Sequence, residues 1–287
     1  MIRNLNATVE YLVDWIKSEA ERSGTKGATV GVSGGIDSAL ILALCVKAFG
    51  RQNVRAVLMP CHSSKTSTDR GTELVNRYEV PFQVIDLSAA YESITGQLVN
   101  NKDFFSANVS ANFANGALRS CLRAPTLDYV AKLNNHLVYG TGNRDEDAIF
   151  RYYQKRGDGA VDNNPIVALH KSEVYQLAAH LGVPKSIIEA PPTADLWGPD
   201  SGQEDEKELG VTYAEIEWVT RENDRNSDTL DESAPRVALE VARCGAFSNR
   251  EWLVIERARK AEVSTRHKAQ LPPGTDRYDM VKQGLVI

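Results

Sequence analysis

The sequence predicts an α/β fold: a parallel sheet flanked by helices on both faces, with a helix-rich C-terminal portion. Three observations carry that expectation. Short, apolar, β-branched runs alternate with segments of helical periodicity through the first half of the chain. The first such run leads into a glycine-rich turn that opens a helix. After Lys171 strand-like runs give way to helical spacing.

In chain order, Val9, Leu12, Val13, Ile16 and Ala20 recur at helical spacing and predict an amphipathic helix, which Gly24 and Gly27 end. Residues 28–32 (ATVGV) read as a buried strand, 33–37 as a tight polar turn and 36–49 as a helix. A second strand over 54–59 stops at Pro60, and a helix is expected around 72–77. Residues 81–87 (PFQVIDL) form a third strand. The middle is helical around 117–133, where Pro125 predicts a break or a helix start. Residues 136–139 (HLVY) give a fourth strand, leading into Gly140-Thr141-Gly142-Asn143. Strands separated by helices imply parallel pairing with both faces covered. Helices follow over 172–181, 213–220, 234–244 and 250–261. Residues 191–207 hold three prolines, two glycines and five acidic residues, and predict a mobile loop of the kind that carries function. No repeat or linker divides the chain, so one domain over 1–287 is expected.

Composition narrows the function. With 33 basic and 38 acidic residues the net charge is −5, which argues against a nucleic-acid coat or a polybasic membrane binder. A chain that is 42% hydrophobic and 25% charged is an ordinary globular one. The longest apolar run, residues 39–46, is far short of the roughly 20 residues a membrane helix needs. Residues 1–7 show no secretory pattern. Cys45, Cys61, Cys121 and Cys244 lack metal-site spacing or a disulfide framework, and a reducing cytoplasm is the simplest setting.

The most informative segment is Gly31-Val32-Ser33-Gly34-Gly35-Ile36-Asp37-Ser38. Between a strand and a helix, backbone N–H groups and the helix dipole favour an anion. Gly34 and Gly35 allow close approach, and Ser33 and Ser38 add hydroxyls, so the turn reads as a pyrophosphate cradle. No GK[ST] follows, which disfavours kinase-type transfer, and the third glycine of GxGxxG is missing, which disfavours a dinucleotide redox fold. Asp37 would repel phosphate unless a cation lay between them, and so points to Mg²⁺. A plain glycine turn with a Ser/Asp cap is the competing reading.

SGGIDS after a strand resembles the pyrophosphate loop of N-type ATP pyrophosphatases, which split ATP between its α and β phosphates on a Rossmann-like sheet. Within that group the run from Gly140 to Glu146, then 155–162 (KRGDGAVD), Pro165, Lys171, 182–184 (GVP), 191–196 (PPTADL) and His267-Lys268 is similar to ammonia-dependent NAD⁺ synthetase in order and spacing. The resemblance implies ATP-dependent amidation of deamido-NAD⁺ by ammonia through an acyl-adenylate, giving NAD⁺, AMP and pyrophosphate. It implies ATP contacts from Gly31 to Ser38 and from Thr141, Lys171 and Thr193, with Asp37 and Lys171 as catalytic groups and Asp37 and Glu146 on Mg²⁺. Arg123, Lys155, Asp162, His267 and Lys268 match its deamido-NAD⁺ positions, and a homodimer with the dinucleotide lying across the subunit interface is implied.

The chain departs from the family pattern at two places. Cys121-Leu122-Arg123 stands where Arg-x-Arg is common, and Leu58-Met59-Pro60 lacks an arginine that often contacts ATP. The first bears on the acid substrate. No cysteine has a recognisable partner for glutamine hydrolysis, so free or separately delivered ammonia is expected. The alternatives are a related ATP pyrophosphatase acting on another carboxylate or acceptor, such as a GMP synthetase-like or tRNA-sulfurising enzyme, and a non-catalytic nucleotide sensor.

Overall fold

The computed structural model describes residues 2–98, 111–193, 195–196, 204–226 and 247–270. Among them β1 (Ala28–Gly31), β2 (Val54–Leu58), β3 (Phe82–Val84) and β4 (Leu137–Tyr139) form one parallel sheet in the order β3-β2-β1-β4. Ala28 lies opposite Val54 on one side and Leu137 on the other. The chain therefore moves outward from β1 in one direction through β2 and β3, then returns to add β4 on the far side. In parallel sheets such a reversal leaves a crevice at the strands' C-terminal ends, where ligands bind.

Residue alternation explains why helices cover both faces. Along β2, Val54, Ala56 and Leu58 enter one apolar core while Val57 enters another with Met59, because successive side chains of a strand point to opposite faces. The first core is closed by α1 (Leu5–Ser23), α2 (Ile36–Phe49), α3 (Lys65–Arg77) and α6 (Lys171–Leu181). The second is closed by α4 (Ser88–Leu98) and α5 (Ala111–Asn134), through Tyr91, Leu118, Leu122, Leu127 and Val130. The stripe predicted for α1 is the buried one, and Gly24 ends that helix in the left-handed region at φ 69°.

Several expectations change. The strands are shorter than predicted, most of all the third, since only 82–84 pair with β2. Helix α3 starts seven residues earlier than expected, where Ser64 accepts a hydrogen bond from Ser67 N; its first turns are too polar to show a periodic stripe. Helix α4 was not expected. Helix α5 runs through Pro125 without the predicted break or start. Pro125 is exposed, and packing of α5 against β1, β2 and β4 outweighs the one backbone bond that proline removes.

Beyond the sheet, α7 (Lys185–Ile188), α8 (Asp205–Leu209), α9 (Tyr213–Asn226) and α10 (Asn249–Thr265) follow. Ile149, Phe150, Ile216, Val219, Val254 and Ile255 build a third apolar core here. The predicted loop over 191–207 ends in α8, so residues 205–207 are helical; residues 194 and 197–203 of it, and the helix expected over 234–244, lie outside the described residues.

Candidate active site

One cleft opens where β1, β2 and β4 end. Gly31 to Asp37, Leu58 to Pro60, Gly140, Thr141, Glu146, Lys171 and Thr193 line it. The loop after β1 is shaped by its glycines. Gly34 sits at φ 83°, and a Cβ there would lie 2.2 Å from the Ser67 carbonyl oxygen, so only glycine fits against α3. Gly35 caps α2 without a side chain, which leaves the first N–H groups of a 14-residue helix facing the cleft. Ser33 Oγ accepts from Gly35 N at 3.2 Å. Ser38 is buried and braces the loop from within: it accepts from Ser33 N at 3.3 Å and donates to the Gly35 carbonyl at 3.0 Å. It does not line the cleft, unlike the other seven loop positions named from the sequence.

At the centre, Lys171 Nζ lies 2.7 Å from Asp37 Oδ2 and 2.8 Å from Glu146 Oε1. The lysine side chain is 5% exposed and each carboxylate 17%. These residues arrive from three elements: Asp37 from the first turn of α2, Lys171 from the first residue of α6, and Glu146 from a π-helical turn after β4 (Glu146–Phe150). Wide π turns recur at functional sites because they re-aim side chains that an α-helix would carry past.

Asn143 holds the assembly in register. It is fully buried, donates through Nδ2 to Asp37 Oδ1 at 3.0 Å and accepts at Oδ1 from the backbone of Asp145 and Glu146. Behind it Asp145 accepts from Lys171 N at 2.7 Å and lies 2.7 Å from His170 Nδ1. Asp145, His170 and Glu217 could hold a metal ion, but both Asp145 oxygens are already engaged in setting the start of α6. Tyr213, from α9, donates to Glu146 Oε1 at 2.6 Å, lies 3.2 Å from Asp205 Oδ2 and places its ring 4.7 Å from the Lys171 ammonium.

The charges follow from this crowding. Burial works against the Lys171 ammonium, yet Asp37 and Glu146 hold its pKa above the ordinary lysine range. Asp37 is pushed up, by burial first and the nearby Glu146 charge, with Lys171 opposing. Glu146 lies below the usual carboxylate range, because Lys171 and the Tyr213 hydroxyl outweigh its burial. Burial and the Glu146 and Asp205 charges keep Tyr213 a phenol, able to donate. Two carboxylates against one ammonium leave the centre negative. Hard oxygen donors that already converge on one cation, with charge to spare, fit Mg²⁺.

The residues expected to hold the acid substrate do not share one place. Arg123 lines the cleft. Lys155, His267 and Lys268 gather elsewhere: Lys155 Nζ donates to the His267 carbonyl at 2.7 Å and to the Gln270 carbonyl. Lys268 Nζ donates to the carbonyls of Arg151 at 2.8 Å and Tyr153 at 2.5 Å. Asp162 accepts from Val138 N at 2.8 Å and borders a separate groove with Pro125 and Asp128. Asn143, Tyr213 and Asp205, with Asp145 and His170 behind them, carry no role in the expectations drawn from the sequence. Asn143 sat inside the quoted Gly140–Glu146 run, but an amide there reads as a turn residue until its partner 106 positions away is known.

The profile of the NAD synthase family matches residues 8–243. An ammonia-dependent NAD⁺ synthetase from Archaeoglobus fulgidus is 34% identical, over 94% of this chain and 96% of that protein. One from Alkaliphilus oremlandii is 38% identical, over 76% and 86%. Among solved structures, an NMN synthetase from Francisella tularensis superposes with a TM-score of 0.77 at 27% identity, covering 96% of this chain and all of that one. An ammonia-dependent NAD synthetase from Campylobacter jejuni gives 0.72 at 24%, over 95% and 100%. The profile runs through every element that builds the cleft, from β1 to α9, and the chain belongs to the NAD synthase family.

Proposed function

We propose that this protein is a carbon–nitrogen ligase that amidates deamido-NAD⁺ with ammonia, consuming ATP to AMP and pyrophosphate. The observation that carries the reading is the Asp37–Lys171–Glu146 centre beside an open helix N-terminus at the sheet's switch point. Binding alone does not require two carboxylates and a lysine buried together. A reaction that brings an anionic acid onto an anionic triphosphate does require charges fixed in advance.

A carboxylate is a poor electrophile. It becomes reactive when it attacks the α-phosphorus of ATP, forming an acyl-adenylate and expelling pyrophosphate; ammonia then displaces AMP. The loop from Gly31 to Asp37 takes the phosphates on backbone N–H groups, with Thr141 and Thr193 at the cleft wall. Lys171 offsets charge that builds on the phosphates during attack. Asp37 and Glu146 would hold Mg²⁺, which supplies further charge neutralisation when bound. Asn143 and Tyr213 orient those carboxylates. Arg123 faces the same cleft and suits the incoming acid.

The whole chain acts as one catalytic unit in this reading, because Tyr213 of the helical portion completes a centre built on the sheet. Ammonia arrives free or from another protein. The described cysteines are unpaired, and burial pushes the Cys45 thiol up, which fits a core residue in a reducing cytoplasm. No helix among the described residues is long and apolar enough to cross a membrane. A homodimer belongs to the reading as well. The sheet edge at β3 exposes Phe82 and Val84, and the packed pair α4–α5 exposes Ile94, Leu98, Phe113, Tyr129 and Leu133. Exposed apolar side chains of this kind offer contacts to a second copy of the chain. Sedimentation of the full chain as a monomer at micromolar concentration would remove the dimer.

A second reading changes only the acid. Lys155 and Lys268 each give two of their three donors to the chain's own carbonyls, and the Francisella protein with the same fold is an NMN synthetase. Nicotinate mononucleotide is then the substrate. The deciding experiment supplies ATP, Mg²⁺ and ammonium with either deamido-NAD⁺ or nicotinate mononucleotide. NAD⁺ formed with the higher kcat/KM supports the first reading and NMN the second. Absence of AMP with both acids defeats the ligase reading.

A further inference from the structure

A second cation reaches the phosphate loop, from α3. Arg70 lines the cleft with Gly31 to Asp37, and its Nε donates to the Gly34 carbonyl at 3.2 Å. Its Nη2 lies 3.4 Å from Ser67 Oγ. A guanidinium carries five N–H donors in a rigid fork. These two contacts leave both Nη1 donors and one on Nη2 without a partner among the described residues. Among the described ion pairs none involves Arg70, whereas Lys171 is already held between two carboxylates.

The loop and α3 meet too closely to shift independently. A side chain at Gly34 would strike the Ser67 carbonyl, and one at Gly71 would lie 3.1 Å from Leu58 Cδ2 and 3.3 Å from Val32 Cγ1. Arg70 is therefore anchored by one nitrogen to the loop's peptide, with its remaining donors beside the same anion cradle. Its charge adds to a centre where one ammonium faces two carboxylates, before any phosphate arrives.

We propose that Arg70 contacts the β,γ end of the triphosphate and takes up the charge of the departing pyrophosphate. This rests on the ATP-consuming reading above. As the acid's oxygen bonds to the α-phosphorus, the bond from that phosphorus to the bridging oxygen breaks, and its electron pair leaves on pyrophosphate. A planar fork presents two parallel N–H groups to two phosphate oxygens, a geometry that the ammonium of a lysine does not have.

The test uses the intact chain and needs no turnover. Binding of pyrophosphate and of AMP, each with Mg²⁺, is measured by calorimetry for wild type, Arg70→Ala and Arg70→Lys. Arg70→Ala is expected to weaken pyrophosphate about ten-fold or more, the range for a hydrogen bond to a charged group, and to leave AMP within about two-fold. Arg70→Lys recovers part of the loss. Equal weakening of both ligands would mean that Arg70 only holds the Gly34 carbonyl, and unchanged pyrophosphate binding would mean no contact; either overturns the proposal alone. Wild-type protein that bound neither ligand would defeat the ATP reading and Arg70 with it.

Discussion

The cleft and the separate Lys155–Lys268 group, inner and outer ends of the proposed binding region, are built in opposite ways. At the phosphate end, Lys171 is buried and Asp37 and Glu146 mostly so, and they use their charges on one another, within 2.8 Å. At the outer end, Lys155 and Lys268 are both half-buried, and both donate to backbone carbonyls of their own chain. The first end is organised before ligand arrives, so its charges need little rearrangement during reaction. In the proposed reaction the second would exchange internal hydrogen bonds for substrate. Defects at the inner end should therefore appear in kcat and in stability together, while defects at the outer end should appear in KM.

The largest effect is expected from Lys171→Met, which leaves two buried carboxylates facing each other. Removing one partner of a buried charge set costs about 3–5 kcal/mol of stability. Loss of a preorganised charge at the phosphates lowers kcat by about 10²–10³. A denaturant midpoint equal to wild type would show that the inner end is less tightly coupled than its distances imply. Asp37→Asn comes next. Its oxygen can still accept from Asn143, so the fold should persist while kcat at saturating Mg²⁺ falls by about two orders of magnitude. Full activity would remove the metal and charge role.

Lys155→Ala sharpens the contrast. It should raise KM for the acid substrate roughly five-fold, as expected for one partly exposed charge contact of about 1 kcal/mol, and leave KM for ATP unchanged. A matching rise for ATP would mean that the two ends are one. The smallest effect is peripheral. Glu215 accepts from Arg250 at 2.6 and 2.7 Å, and these bonds hold its carboxyl down at about 2, below the ordinary 4.5. The folded state thus holds this proton less tightly than the unfolded chain does. The resulting stabilisation is complete above pH 4.5 and fades as pH falls toward about 2. The pair is partly solvent-exposed, so Glu215→Gln should cost less than about 1 kcal/mol at pH 7 and nothing near pH 2. Urea midpoints at the two pH values check it, and an equal loss at both would assign the effect to packing.

The phosphate loop was legible because strand, glycines and helix start are contiguous: anion binding by backbone needs only local geometry, which eight residues encode. Lys171 and Glu146 were found only through resemblance to a family, since neither shows a local signal that separates it from a surface charge. Arg70 was hidden differently. In a polar first half of α3 it reads as solvated, and only the packing of Gly34 on Ser67 turns it toward the loop. The Pro125 break failed for the converse reason, because a real local penalty was outweighed by contacts that α5 makes with three strands.

The sequence by itself determined the alternation of the four strands with helices and the buried stripe of α1, since apolar periodicity is a property of neighbours along the chain. It determined the anion cradle too. Only the tertiary structure decided which charges meet. Asp37 and Lys171 are 134 positions apart, and Glu146 and Tyr213 are 67. The order of strands brings their elements to one crevice, and a Coulomb interaction depends on distance through space rather than along the chain.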